Sequence, residues 1–366
     1  MFYMFEFGST SLASDDYGYI NARVRGLSSK LLRRDAYQRL MEKESVSGIN
    51  KLLMETDYAE EVLEAKEELG ENASQIVIFE KALELNFKKT LEKIKEIIVG
   101  EPRILFDLLL ERWDLQNLKT VLRAKFTNVP FSLDALTFTG HLPDELWEKL
   151  AQQPDIAAFI KQLEIWNVKY APQLKAVYAG EPDSKTLLKL ERALDLAYYT
   201  QLLGFTDRWS SNYRLVNELV KKEIDMLNLL NSLRLLKAKV LPDEAEEYFV
   251  PGGEKLIIRD FQNIIACASL KNAMEYLNKH IYHEAIDKRG MLFEKVQDVA
   301  VFERSLEEQL VKWLARVYTQ SVLGFGILLG YLRFKYVEFT NLRILGRCKE
   351  FGVPDEITWN ELIMVR

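Results

Sequence analysis

The sequence has little of what most active sites are built from. Among 366 residues there are two cysteines, Cys267 and Cys348, and three histidines. Two distant cysteines without CxxC or Cys/His spacing exclude a disulfide framework and a zinc-finger site, and fit a reducing compartment. No GxxxxGK[ST] run occurs, which excludes a P-loop and with it direct nucleotide binding of that kind. Neither charge dominates: 49 basic against 55 acidic side chains leave a net −6, the wrong balance for a general nucleic-acid binder. The longest uncharged run, between Arg316 and Arg333, holds 16 residues. A bilayer helix needs about 20, so the run reads as a buried helix. Met1-Phe-Tyr-Met-Phe-Glu-Phe7 lacks a basic start and carries Glu6, which argues against a signal peptide. Strand-like alternation is nearly absent, Lys255-Leu-Ile-Ile-Arg259 being its best and short example.

What is present is a threefold internal repeat. Glu80-Lys-Ala-Leu-Glu84, Glu191-Arg-Ala-Leu-Asp195 and Glu303-Arg-Ser-Leu-Glu307 recur at steps of 111 and 112 residues. Asn117-Leu-Lys-Thr-Val-Leu-Arg-Ala-Lys125 aligns with Asn231-Ser-Leu-Arg-Leu-Leu-Lys-Ala-Lys239 and Asn341-Leu-Arg-Ile-Leu-Gly-Arg-Cys-Lys349, each with cations six and eight positions after the Asn. Tyr58, Tyr170 and Tyr282 keep the same step. A period near 112 is domain-sized, which predicts units at 1–130, 131–242 and 243–366, with Pro130, Pro242 and Pro354 after the basic helix ends. Phe79, Leu83, Phe87, Leu91, Ile94 and Ile98 fall on one face of a long helix. Leu187, Leu190, Leu194, Tyr198 and Leu202 repeat that face, as do Phe302, Leu306, Leu310 and Val317. The expected class is all-α. Like units joined head to tail close into a ring when each step turns by about a third of a circle, so the expected architecture is a pseudo-threefold funnel.

The chemistry-bearing residues form no catalytic set. His280-Ile-Tyr-His283-Glu284 places two histidines three apart, but without the HExxH order or a third ligand. It reads as a solvated helix face. Gly324-Phe-Gly326-Ile-Leu-Leu-Gly330 follows no strand, so it reads as close helix packing rather than a nucleotide fingerprint. Neither a metal nor a cofactor is implied. Residues 21–39 carry Arg23, Arg25, Lys30, Arg33, Arg34 and Arg39 against Asp35 alone, either a solvated helix or a steering patch for an acidic partner. Asparagine disfavours helix interiors, so Asn117, Asn231 and Asn341 imply a common polar task. Asp114, Asn228 and Glu338 lie three residues before them on the same face. That task is either satisfying a buried neighbour or facing a central opening.

Three segments carry a resemblance. Tyr17-Gly-Tyr-Ile-Asn-Ala-Arg-Val-Arg-Gly26, Glu111-Arg-Trp-Asp-Leu-Gln-Asn-Leu-Lys119 and Glu338-Phe-Thr-Asn-Leu-Arg343 resemble the C-type subunits of the V/A-type rotary ATPases, whose vacuolar counterparts are the d-type subunits. The likeness runs from Tyr17 to the C-terminus and does not extend to residues 1–16. It implies a non-catalytic funnel of three helical domains, seated between central shaft subunits of D and F type and the membrane proteolipid ring. It implies a peripheral position at the cytoplasmic membrane face, and an isolated chain that is monomeric. Asn21, Arg23, Arg25, Asp114, Asn117, Asn228, Asn231, Glu338 and Asn341 are the candidate partner contacts. The competing readings are a free-standing helical scaffold or adaptor and a hydrolase whose site the sequence does not display.

Overall fold

A computed structural model describes residues 17–365 except 71, 130, 132, 134–135, 137–139, 181–185, 208–209 and 281–298. Tyr282, His283 and Glu284, Pro130 and the stretch before Tyr17 therefore lie outside the described residues, as does the side chain of His280. All regular structure among the described residues is helical. The first long helix follows from its apolar stripe: Phe79, Leu83, Phe87, Leu91 and Ile94 are all buried on α5 (Gln75–Ile97), each contributing roughly 1.5–3 kcal/mol of transfer free energy. Shorter helices begin where a side chain can cap them. Ser45 accepts the Gly48 amide ahead of α3 (Val46–Leu53), and Asp155 accepts that of Ala158 ahead of α8 (Ile156–Ile165).

Element order repeats three times. Short helices α2 (Arg34–Met41), α3 and α4 (Ala59–Leu69) precede the long pair α5 and α6 (Glu101–Thr127). Next come α7 (Asp144–Gln152), α8 and α9 (Ala171–Val177), then the long pair α10 (Thr186–Thr206) and α11 (Ser211–Lys237). Last are α12 (Ile258–Ile265) and α13 (Leu270–His280) with the long pair α14 (Val299–Gln320) and α15 (Phe325–Glu350). Two further helices, α1 (Tyr17–Ser28) and α16 (Asp355–Glu361), flank the series. Tyr58 and Tyr170 are both buried and both stand at the N-cap of the third short helix of their unit.

Long helices pair across units in a cycle. The second long helix of one unit packs on the first long helix of the next: α6 on α10, α11 on α14, and α15 back on α5. The last pairing joins residues far apart in sequence, so the chain closes on itself. It is also the tightest. A Cβ added to Gly346 of α15 would stand 2.3 Å from the ring of Phe79 on α5, a distance only glycine permits. Gly326 and Gly330 do the same between α15 and α14, where an added Cβ would meet Val317 Cγ1 at 3.0 Å and Tyr318 Cβ at 2.7 Å. The glycine run thus serves helix packing, as its pattern predicts. Nearly all faces of α15 are buried, the mark of a helix inside a bundle rather than on its surface.

Two expectations need correction. The uncharged run after Arg316 is not one buried helix: α14 ends at Gln320, and a turn at 321–324 carries Val322 at 87% exposure before Gly324, at φ +132°, opens α15. Helix packing of the glycines and a positive-φ start fixed this break, which hydropathy alone could not show. Lys255-Leu-Ile-Ile-Arg259 is no strand either. Its amides feed into a carboxylate described below, and Ile258 begins α12.

All three second long helices end alike. Asn128, Lys239 and Gly352 have φ of 52°, 56° and 66°, each five residues after a repeated arginine (Arg123, Arg234, Arg347). Glycine adopts this left-handed cap freely and asparagine tolerates it, whereas lysine carries a Cβ penalty. Lys239→Gly is therefore expected to stabilise the protein by about 1 kcal/mol, read as a higher urea midpoint at unchanged slope, with Asn128→Gly giving a smaller gain.

Candidate functional site

Polar residues that the repeat places on the second long helices are mostly spent inside the molecule. On α11, Asn228 donates from Nδ2 to the Val250 carbonyl (2.7 Å) and accepts the Val250 amide (2.9 Å). On α15, Asn341 holds Ile363 by the same two bonds, at 2.8 and 3.1 Å. Both partners lie 22 positions on. Asn117 on α6 is likewise buried and partnered. The second copy of the motif is therefore Asn228, not Asn231, and the register expected from sequence is three residues out. Asn231 is half-buried one turn further along. The corrected motif reads acid-x-x-Asn-Leu, with an arginine six residues after the Asn: Asp114 to Arg123, Asp225 to Arg234 and Glu338 to Arg347.

The acid three residues before each Asn receives the chain that begins the following unit. Asp114 accepts the amides of His141 (2.7 Å) and Leu142 (3.3 Å). Asp225 accepts those of Lys255 (2.8 Å) and Leu256 (3.1 Å). Glu338 accepts the amide of Leu32 (2.5 Å), hundreds of residues away, together with Tyr58 Oη and Lys335 Nζ at 2.7 Å. Gly140 and Gly253 pass so close to Asp114 and Asp225 that a Cβ there would meet the carboxylate at 1.9 and 2.0 Å. Glu338 is one methylene longer and reaches a chain that arrives from elsewhere. The equivalence of Asp225 was legible in Asp225-Met-Leu-Asn228 once the acid at −3 is counted.

The two motifs repeated in the sequence turn out to be the two halves of one contact. Arg123 grips Glu191 through two bonds (2.5 and 3.0 Å), Arg234 meets Glu303 at 3.1 Å, and Arg347 meets Glu80 at 2.6 Å. Each bridges a second long helix to the first long helix of the next unit, the last one closing the cycle. Beneath them Lys119 and Asp195 form a buried pair at 2.5 Å. Burial pushes the Asp195 carboxyl up, with Lys119 opposing.

At their other ends the second long helices meet. Asn212 on α11 donates to Glu101 of α6 (2.6 Å) and accepts the Phe325 amide that opens α15 (3.0 Å), while Tyr17 Oη also donates to Glu101 (2.9 Å). Asn212 thus links the start of α11 both to the Glu101 carboxylate that opens α6 and to the first amide of α15. One turn or more inward, Arg112 of α6 pairs with Glu223 of α11, which is nearly buried, and Trp113 stacks edge-on against Tyr336 of α15 at 4.9 Å.

Of the candidate contacts, Asn21, Asp114, Asn117, Asn228, Glu338 and Asn341 are all buried. They have no surface to offer a partner, and the hydrogen bonds above give Asp114, Asn228, Glu338 and Asn341 a structural task. Arg23 and Arg25 are exposed on α1, Arg25 touching the Ser321 carbonyl at 3.2 Å. Near them stand Tyr19, Val322 and Leu323, all more than half exposed, and Val99 precedes the shared Glu101. No group of three or more His, Cys, Asp or Glu among the described residues is placed to hold a metal ion.

The sequence matches the family described as ATP synthase (C/AC39) subunit over residues 20–360. Curated relatives, each named as the C subunit of an A-type ATP synthase, span nearly whole chains. The protein of Methanococcoides burtonii is 29% identical over 96% of this chain and 95% of its own. That of Methanosarcina mazei is 29% identical over 96% and 94%, and that of Archaeoglobus fulgidus 26% over 95% and 96%.

Two outcomes follow from this geometry. Asn228→Ala strips two buried backbone groups of their partner and is expected to cost about 3 kcal/mol, whereas Asn231→Ala should change stability by no more than about 0.5 kcal/mol; denaturant unfolding of the two variants reads the register directly. Burial raises Asp114 to about 6, against the opposing His141 and Leu142 amides. Its ordinary value is about 3.9, so the folded state holds the proton more tightly. Its stabilising contribution is full below about pH 4 and lost as pH rises through about 6, by roughly 2–3 kcal/mol. Relative to wild type, Asp114→Asn should gain that amount between pH 4 and 7 in paired unfolding curves.

Proposed function

Because the chain belongs to the ATP synthase (C/AC39) subunit family, and is thereby a subunit of a rotary ATP synthase, we propose that it is the non-catalytic socket joining the central shaft to the membrane proteolipid ring. Its three units, 1–130, 131–242 and 243–366, are the domains of a pseudo-threefold funnel on the rotation axis. The observation that carries this reading is the cycle of long-helix pairings. Torque must pass from one axial partner to another through a body that does not shear. A closed cycle, in which each unit is gripped by both neighbours, resists twisting better than an open row whose end units are held on one side only. Shaft subunits of D and F type and the proteolipid ring are the partners. No helix among the described residues is long and apolar enough to cross a membrane, so attachment runs through protein contacts at the cytoplasmic face. The exposed Arg23 and Arg25 are contacts in this assembly.

A free-standing helical adaptor is the alternative. The two separate by purification from native membranes. The expected result is that shaft and ring components co-migrate with this chain, and that alkaline washing releases it together with the shaft. Recovery without any other ATP synthase component would give the adaptor reading instead. Arg23→Glu with Arg25→Glu should weaken that assembly severalfold while changing folding stability by about 1 kcal/mol or less, as exposed charges do; equal losses of folding and assembly would assign both arginines to the fold alone.

A further inference from the structure

The helix α1 stands outside the threefold pattern. Leu32, Leu142 and Leu256 each lie two residues before the first short helix of a unit. Each gives its amide to the acid of the second long helix that precedes it in the cycle. In units 2 and 3 the chain reaches that leucine from the preceding long helix, with no α-helix between them among the described residues. In unit 1 it arrives from α1, which packs on α15 of unit 3. α1 therefore spans the one joint of the cycle that has no covalent link. The tie at its end is also thinner. Asp114 and Asp225 each accept two successive amides. Glu338 accepts that of Leu32, while the Leu31 amide turns back to the Ser28 carbonyl at 3.4 Å.

Four features make the seat of α1 weak. Its buried apolar side chains are Ile20 and Val24, whereas α5 buries Phe79, Leu83, Phe87, Leu91 and Ile94 among others. Asn21 is 3% exposed, and neither its Oδ1 nor its Nδ2 has a partner. Seating α1 thus takes an amide out of water without replacing its hydrogen bonds. Gly18 and Gly26 both lie within the helix. A Cβ on Gly26 would meet nothing within 4 Å, so glycine there answers no packing need and lowers helix stability. Beneath the connection from α1 to α2 lie two cavities, of about 10 Å³ beside Lys335 and about 30 Å³ beside Glu338, and Leu31 lines both. We propose that α1 is a strap that lifts off α15 as one piece while the three units stay folded, and that Asn21 keeps it displaceable. Arg23 and Arg25 are exposed on the strap. On the socket reading, in which both are assembly contacts, a partner that grips them in their seated places favours the seated strap. Assembly then secures the joint that the chain itself leaves unlinked.

The test reads thiol labelling of the full chain. Val24→Cys on α1 and Val121→Cys on α6, both at fully buried positions, are made singly with Cys267 and Cys348 replaced by serine. Without denaturant, the Val24→Cys thiol is expected to react about a hundredfold or more faster than the Val121→Cys thiol. Small additions of urea should leave its rate unchanged, as local lifting requires. Adding Asn21→Leu should slow that labelling about tenfold. Gly26→Ala, an exposed change that leaves the core untouched, should slow it about fivefold. Equal labelling of the two thiols, rising together with urea, would overturn the strap. A folded Asn21→Leu chain whose α1 label reacts as fast or faster would overturn the role of Asn21, and no slowing by Gly26→Ala would overturn the weak seat. In the assembled complex, labelling at Val24→Cys should fall about tenfold or more below that of the isolated chain. A complex that forms with the rate unchanged overturns the link between strap and assembly. A chain that enters no complex overturns the socket reading instead, while the isolated chain still decides the strap.

Discussion

Everything in this molecule depends on the second long helix of each unit finding the first long helix of the next. That contact occurs three times, and the third instance, α15 on α5, has no covalent help. Its apolar part does the stabilising: Leu118, Leu122, Leu190 and Leu194 on one seam, and Leu342, Leu345, Phe79 and Leu83 on another, are fully buried. The arginine–glutamate clasps above it are about half exposed on the arginine side, and such pairs contribute about 1 kcal/mol or less each. Their value is positional. A bridge that forms only when two helices are in one register penalises sliding by a turn, and a cycle of three leaves no seam free to slide alone.

Buried polar groups do a related job at greater cost. Removing a carboxylate or an amide from water is unfavourable unless its hydrogen bonds are replaced. Here they are replaced by backbone amides and carbonyls of the segments that link the units. Those segments are irregular and would otherwise bury unpaired groups of their own. Each deficit satisfies the other, so the link is tied to a helix that is already fixed. At the seam without a covalent link the same role falls to Glu338, extended by one methylene and joined by Lys335 and Tyr58. The buried Lys119–Asp195 pair follows the same logic. It is weak evidence for stability and better understood as setting which faces meet.

By itself the sequence determined the helical class, the long helices and the threefold recurrence of the motifs around Glu80, Glu191 and Glu303, because these rest on periodicity and on short local patterns of the chain. It also displayed the asparagines at Asn117 and Asn341 and the glycines that let α15 pack closely. Only the tertiary structure decided what the motifs bind. That Glu80 belongs with Arg347, and Leu32 with Glu338, depends on the chain returning to its own beginning, and no short window of sequence contains both ends of such a pair. The same limit explains the register error. Asn228 and Asn231 lie one helical turn apart with cations following both, so the asparagine-and-cation pattern could not choose between them without the acid three residues earlier. The choice is made by Val250, which lies 22 residues from Asn228 and within reach of that side chain once the linking segment has folded back along the helix.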